Sequence, residues 1–133
     1  MEQPRPLCET PESITCKWGF RVKISSVGEV LCSRELALRD GRAVSVIMGK
    51  PQRFPDGHED YFCPFQITGI GDEKIRYGAG IDAFQAVYLT LQMIGATLYT
   101  MPEAKIGGLS WLGQSNFGFP VPDSIGDLLP KGT

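Results

Sequence analysis

The chain has 133 residues with a formal net charge of −2, and 42% of its residues are hydrophobic while 21% are charged. A chain of this length and composition accommodates one ordinary globular domain, in which a large cofactor cleft would consume much of the core. The acidic balance, with a pI of about 5.4, excludes a basic footprint for nucleic acid over the whole chain.

The first 13 residues are polar and rich in proline, and they predict a loose leader. They lack the apolar run of a signal peptide, and no stretch of the chain reaches the length of a membrane span. Three of the four cysteines fall in predicted strands, where a reduced cysteine packs as a small hydrophobe. We therefore expect a cytoplasmic protein without membrane contact, whose thiols are free: Cys8, Cys16, Cys32 and Cys63.

Alternation of apolar and polar residues predicts the first two strands. Trp18, Phe20, Val22 and Ile24 share one face of a half-buried first strand. A turn follows, and residues 30–39 form the second strand.

The Asp-Gly pair at 40–41 predicts a hairpin after this second strand. A two-residue loop would set Leu36 opposite Ser45, whereas a three-residue loop sets Leu36 opposite Val44. The second arrangement keeps apolar residues on one face, and it places Gly41 in the left-handed conformation of a bulged turn. We therefore favour the three-residue loop.

Turn-forming residues predict a loop over 49–59, after which residues 61–68 read as a strand. Pro64 cannot donate to a ladder, so we expect that strand to begin at an edge or a bulge. Residues 74–79 return as the next strand. The side chains of 61–68 expected to face the core are Cys63, Phe65 and Ile67.

A capped helix is predicted over residues 82–101. Asp82 can accept from the free amides of the first turn, and Gln85 can reach back to the Asp82 amide. Pro102 ends the helix, and Gly95 is expected to allow a close approach to a strand. The predicted core stripe consists of Phe84, Val87, Leu91, Ile94 and Leu98.

The same helix has no charged face, since no residue from 83 to 101 is charged. A helix this apolar is usually covered on several sides. Residues 102–133, which we call the strap, hold enough aromatic residues to predict an ordered segment. Either the strap covers the helix or a partner docks there, and the candidate partner surface is Tyr88, Met93, Trp111, Phe117 and Phe119.

Two motifs resemble a family of small uncharacterised bacterial proteins, a domain of unknown function. They are Tyr61-Phe-Cys-Pro-Phe-Gln-Ile-Thr-Gly69 and, at the helix start, Gly80-Ile-Asp-Ala-Phe-Gln-Ala86. The resemblance covers about residues 30–100, with the leader and the strap outside it. It implies a shared fold and a bacterial origin, and it implies no activity.

Few side chains are candidates for catalysis or metal binding. His58 is the only histidine, and it lies in an acidic loop with Asp56, Glu59 and Asp60. A pair of His58 with Cys63 would be needed for thiol catalysis, but Cys63 is expected to face the core. The loop carboxylates could hold a hard cation weakly, although a solvated loop is the simpler interpretation. The cysteines lack zinc-site spacing, so we expect no metal and no cofactor.

These patterns predict an α+β fold in which about five antiparallel strands pack against one main helix. Without a catalytic motif, the profile favours a non-enzymatic protein-binding module of inhibitor or immunity type. One alternative is a homo-oligomer, such as a homodimer, joined through the apolar helix. The other is a ligand-binding domain or enzyme with a small pocket between helix and sheet that uses Tyr61, His58 or the acidic loop.

Overall fold

The computed structural model describes residues 13–15, 21–24, 26–55 and 59–128. Most of the predicted leader lies outside these residues, as do the predicted strand positions Trp18 and Phe20 and the acidic-loop residues Asp56 and His58.

The described elements fall into eight strands, two α-helices and a terminal 3₁₀ segment. In chain order they are β1 (Ser13–Thr15), β2 (Arg21–Lys23), β3 (Val30–Leu38), β4 (Ala43–Gly49), β5 (Gln52–Arg53), β6 (Tyr61–Thr68), β7 (Ile75–Gly80), α1 (Ala83–Tyr99), α2 (Pro102–Lys105), β8 (Leu109–Ser110) and the 3₁₀ helix Asp123–Leu128.

Six of these strands form an open antiparallel sheet against which α1 packs, which confirms the predicted α+β fold. The order is β5-β6-β4-β3-β8, and β7 pairs with the other edge of β6. The predicted first strand does not join this sheet, because β2 pairs with β1 in a separate two-stranded ladder. The predicted loop over 49–59 contains β5, which pairs with β6. None of the described helices is long and apolar enough to cross a membrane.

The β3–β4 hairpin has the predicted register. Leu36 lies opposite Val44, and Cys32 lies opposite Met48. Gly41 has a φ of +93°, a conformation that glycine adopts without a Cβ penalty. Its amide donates to the Leu38 carbonyl at 2.9 Å, which closes the turn.

Strand β6 is paired on both sides, so of the edge or bulge predicted at its start, the edge is wrong. On one side Pro64 lies opposite Tyr77 of β7. On the other side the partner of β6 changes from β4, which ends at Phe65, to β5, which begins at Phe62. Pro64 falls in this gap between two partners, where the ladder is already interrupted.

Helix α1 lies across β6 and β7. Four of the five residues of the predicted stripe belong to the core or pack against it: Val87, Leu91, Ile94 and Leu98. Phe84, predicted to be in the core, is 88% exposed. Two glycines of β7 set the orientation: a Cβ at Gly78 would lie 2.7 Å from the Thr90 nitrogen, and one at Gly80 would lie 2.5 Å from the Ala86 nitrogen. The helix therefore rests on the sheet through its small residues, and the larger Phe84 points away.

The ends of α1 also refine the prediction. Asp82 is the N-cap and its Oδ1 accepts from the Gln85 amide at 2.8 Å. The Gln85 side chain reaches back to the Ile81 amide at 2.8 Å, one residue before the expected partner. The helix ends at Tyr99 with Thr100 as C-cap, and Pro102 begins the short helix α2 instead of following a longer α1.

Two apolar clusters lie on opposite faces of the sheet. The larger one lies between the sheet and α1 and includes the predicted inward residues Cys63, Phe65 and Ile67. The smaller one, on the other face, is built around Phe54 and Phe62, whose ring centroids are 4.9 Å apart. The sheet is therefore apolar on both faces of its β6 region.

Candidate functional site

The strap returns over the core and covers the part of the sheet that α1 leaves open. Phe117 is 1% exposed, and its ring stacks on Tyr99 of α1 with centroids 4.7 Å apart. A Cβ at Gly95 would collide with the Pro120 carbonyl. The close approach predicted at Gly95 is therefore made by the strap and not by a strand.

Tyr99 holds this turn of the strap by hydrogen bonds. Its hydroxyl accepts from the Phe117 amide at 2.8 Å and donates to Asn116 Oδ1 at 3.2 Å. Burial raises the pKa of Tyr99, against the lowering effect of the strap amides of Phe117 and Gly118. Since an uncharged phenol keeps its proton, the hydroxyl can donate and accept at the same time.

Arg34 of β3 is the main cation at this contact, and the sequence interpretation missed it. Its guanidinium lies 4.0 Å from the Trp111 ring centroid and 4.9 Å from that of Phe119. Its Nη1 donates to the carbonyl oxygens of Phe117 at 3.0 Å and Gly118 at 3.4 Å. The side chain thus joins β3 to a segment more than 80 residues later in the chain.

A signal for Arg34 was present in the strand pattern. Cys32, Leu36 and Leu38 alternate on the inward face of β3, and Arg34 occupies the remaining inward position, opposite Val46. A single arginine in an apolar face needs a partner that accepts its charge. The aromatic residues of the strap are that partner.

A cavity of about 280 Å³ lies beside Arg34. Cys32, Ser33 and Arg34 of β3 form its polar side, and strap residues 118–120 close it opposite. Its floor is apolar and is made by side chains of β4 and α1: Val46, Met48, Leu91 and Ile94. Cys32 is exposed, so its thiol lies where the cavity meets solvent. The cavity lies between helix and sheet, and Tyr61, Glu59 and Asp60 are not among its lining residues. Asp56 and His58 lie outside the described residues.

The second described cysteine is a core residue. Cys63 is 0% exposed, and its thiol donates to the Gly49 carbonyl at 3.2 Å. Burial raises the pKa of Cys63, partly offset by a hydrogen bond from Thr90. A thiol that keeps its proton and lies in the core is a poor nucleophile.

The acidic loop is described only at its end. Asp56 and His58 lie outside the described residues, Glu59 is exposed, and Asp60 is buried, with its carbonyl accepting from the Phe54 amide at 3.1 Å. Within the part of the chain that the structure describes, no three potential metal-ligating side chains come together.

The start of α1 carries an exposed apolar patch, which we call the helix patch: Ile81, Phe84 and Tyr88, exposed by 66%, 88% and 55%. Phe84 and Tyr88 are four residues apart on one side of α1, and Ile81 directly precedes the N-cap Asp82. Of the other predicted surface residues, Met93, Trp111 and Phe119 are partly buried against the core and Phe117 is fully buried. Phe117 is therefore not available to a docking partner, whereas Tyr88 is exposed.

Comparison with known proteins gives a family and no function. Neither a curated protein nor a solved structure matches the chain. The model of one family, described as a domain of unknown function (DUF6968), matches residues 32–121. This range extends past the resemblance at 30–100 and takes in the strap as far as Val121, so Arg34 and its aromatic partners lie inside the matched region. Since the match spans more than half of the 133 residues, the chain belongs to this family, DUF6968.

Proposed function

We propose that the chain is a non-enzymatic protein-binding module of inhibitor or immunity type, active in a bacterial cytoplasm, and that it docks through the helix patch. The observation that carries the proposal is the exposure of Phe84, at 88%. Exposing a large aromatic side chain in an apolar patch is costly unless it serves an interface. Aromatic residues of this kind dominate binding energy at protein interfaces.

The proposed partner is a protein with an apolar groove in which the exposed side of the first turns of α1 binds. Phe84 and Tyr88, four residues apart, follow the spacing with which a helix fills such a groove, and Ile81 extends the patch just before the N-cap. The absence of charged residues from 83 to 101 fits an apolar groove better than a charged surface, because no charge has to be desolvated on this side.

A second copy of the chain fits the helix patch less well. The three side chains expose an area on the order of 400 Å², whereas a stable interface buries about 800 Å² on each partner. A groove on a different protein wraps both sides of the helix and reaches this area, while two convex helices meet along a narrower strip. This favours a heterologous partner over the homodimer.

Site-specific cross-linking followed by a binding measurement tests the proposal. Benzoylphenylalanine replaces Phe84 in one sample and Leu112, which is 78% exposed, in the control sample. In an extract of the source organism we expect one protein to cross-link from position 84 and not from position 112. The purified partner should then bind the wild type and the Leu112→Ser variant, and lose affinity at least 10-fold for Phe84→Ser.

Two results would contradict the proposal. One is a cross-linked partner that binds Phe84→Ser as tightly as wild type. The other is a concentration-independent dimer in light scattering that Phe84→Ser converts to a monomer, because the helix patch would then serve self-association.

A further inference from the structure

We propose that the cavity between β3, α1 and the strap binds a small carboxylate with an apolar body, its carboxylate on Arg34 and its body on the floor of the cavity. This site shares no residue with the helix patch and is independent of the protein-binding role.

Arg34 brings a positive charge to the cavity. Within residues 13–15, 21–24, 26–55 and 59–128, no carboxylate lies within ion-pair distance of this guanidinium, although other arginines such as Arg42 and Arg76 have acidic partners. The two strap carbonyls take hydrogen bonds from Nη1 only. Of the five N–H donors of an arginine, those on Nε and Nη2 therefore remain for a ligand.

The surroundings of the Arg34 guanidinium select the chemical class of the ligand. Two aromatic rings, with centroids 4.0 Å and 4.9 Å from the guanidinium carbon, restrict its orientation, so its remaining donors point in a set direction. A planar guanidinium edge pairs best with a carboxylate or a phosphate, and the pair excludes cations. Among the described residues, no lysine or further arginine lines the cavity. A single positive charge matches a monoanionic carboxylate better than a phosphate dianion.

The lining and volume of the cavity set the polarity and size of the ligand. Behind Arg34 the cavity is lined by Val46, Met48, Leu91 and Ile94, which offer no hydrogen bonds from their side chains. Its volume of about 280 Å³ is at the lower limit of small-molecule pockets. At roughly 30 Å³ for each group of the size of a water molecule, the ligand has on the order of ten non-hydrogen atoms. Octanoate and benzoate have this size.

The exposed thiol of Cys32 provides a reporter for occupancy. Cys32 lines the cavity and is exposed, while Cys63 is buried. A ligand that fills the cavity should slow alkylation of Cys32. Peptide mass spectrometry measures the alkylation of Cys32 separately from that of the other three cysteines. None of them therefore has to be replaced for the experiment.

The experiment titrates the full chain with octanoate and, as a neutral control of equal length, with 1-octanol, while NMR follows the amides of residues 32–34 and 118–119. We expect saturable octanoate binding, octanol binding weaker by roughly 10-fold or more, and slower alkylation of Cys32. Equal binding of octanol and octanoate would overturn the role of Arg34. Absence of saturable binding for both octanoate and benzoate would overturn the site.

Variants separate the cavity from general surface effects. Leu91→Trp fills the floor, and Leu89→Trp places the same side chain on α1 outside the cavity lining. We expect Leu91→Trp to abolish octanoate binding and Leu89→Trp to retain it. Arg34→Gln should weaken binding of octanoate more than that of octanol, with circular dichroism to verify the fold. Phe84→Ser should bind octanoate like the wild type, so this site and the helix patch can fail separately.

Discussion

The Thr90 hydroxyl accepts a hydrogen bond from the backbone amide of Gly78 at 3.0 Å, and this contact sets how closely α1 lies on the sheet. The same hydroxyl donates to the carbonyl of Cys63 at 3.1 Å, and Cys63 and Gly78 are paired residues of β6 and β7. Thr90 is 0% exposed. One buried side chain therefore connects the helix to both β6 and β7.

Replacing Thr90 with valine tests this connection. The substitution keeps the shape and removes the hydroxyl, leaving a buried amide at Gly78 without its acceptor. We expect the free energy of unfolding to fall by about 1–3 kcal/mol, measured by urea denaturation. Thr97→Val is the matched control, because the Thr97 hydroxyl donates only to the Met93 carbonyl of its own helix, at 2.7 Å. Equal effects of the two substitutions would contradict a special role for Thr90.

Gly95→Ala tests the contact between α1 and the strap. Alanine is the better helix former by about 1 kcal/mol, so helix propensity alone predicts a more stable protein. The added Cβ would collide with the Pro120 carbonyl, and overpacking of this kind costs about 1–3 kcal/mol. We expect a net loss of stability in urea. Gly126→Ala, where a Cβ meets nothing within 4 Å, should change stability little; a stabilising Gly95→Ala would show that the strap does not rest there.

The elements that the sequence predicted well are those set by neighbouring residues. The bulged hairpin follows from side-chain alternation and from Gly41, whose φ is +93°. The start of α1 follows from Asp82, because an N-cap acts within three residues of itself. Both signals are local, and no distant part of the chain is needed to interpret them.

The parts that the sequence did not predict depend on contacts between distant segments. One position of α1, Phe84, was misassigned because the helix has no charged face to mark its outside, and the decisive residues, Gly78 and Gly80, lie on another element. The contact of Arg34 with the strap was missed because Arg34 and its partner Phe117 are 83 positions apart. Periodicity within one element contains no information about such a contact.

Arg34→Lys tests how the strap is held to β3. Lysine keeps the charge and loses the planar group that stacks between Trp111 and Phe119. We expect the free energy of unfolding to fall by about 1–3 kcal/mol, and the NMR amide signals of residues 117–119 to shift most. Arg42→Lys is the control, since its ion pair with Asp40 is exposed on both sides. An unchanged strap in Arg34→Lys would mean that charge alone suffices.

Asp72 predicts a dependence of stability on pH in the acid range. Hydrogen bonds from the Arg76 side chain and then the Lys74 amide lower its pKa from 3.8 to about 2. Because the folded-state pKa lies below the unfolded one, the stabilisation is complete above pH 3.8 and disappears as the pH falls through about 2. Urea midpoints of wild type and Asp72→Asn should therefore converge over this window. A constant difference between the two midpoints through this window would contradict the prediction.

Phe84 and Ile94 give opposite predictions for the two sides of α1. Ile94 is 1% exposed and Phe84 is 88% exposed. Ile94→Ala should lower the free energy of unfolding by about 2–5 kcal/mol, because it leaves a cavity in the core. Phe84→Ala removes more atoms, yet it should change stability by less than about 0.5 kcal/mol. Urea denaturation of the two variants decides the orientation of α1: a large loss from Phe84→Ala would restore the core position that its sequence spacing predicted and would remove the helix patch as a docking surface.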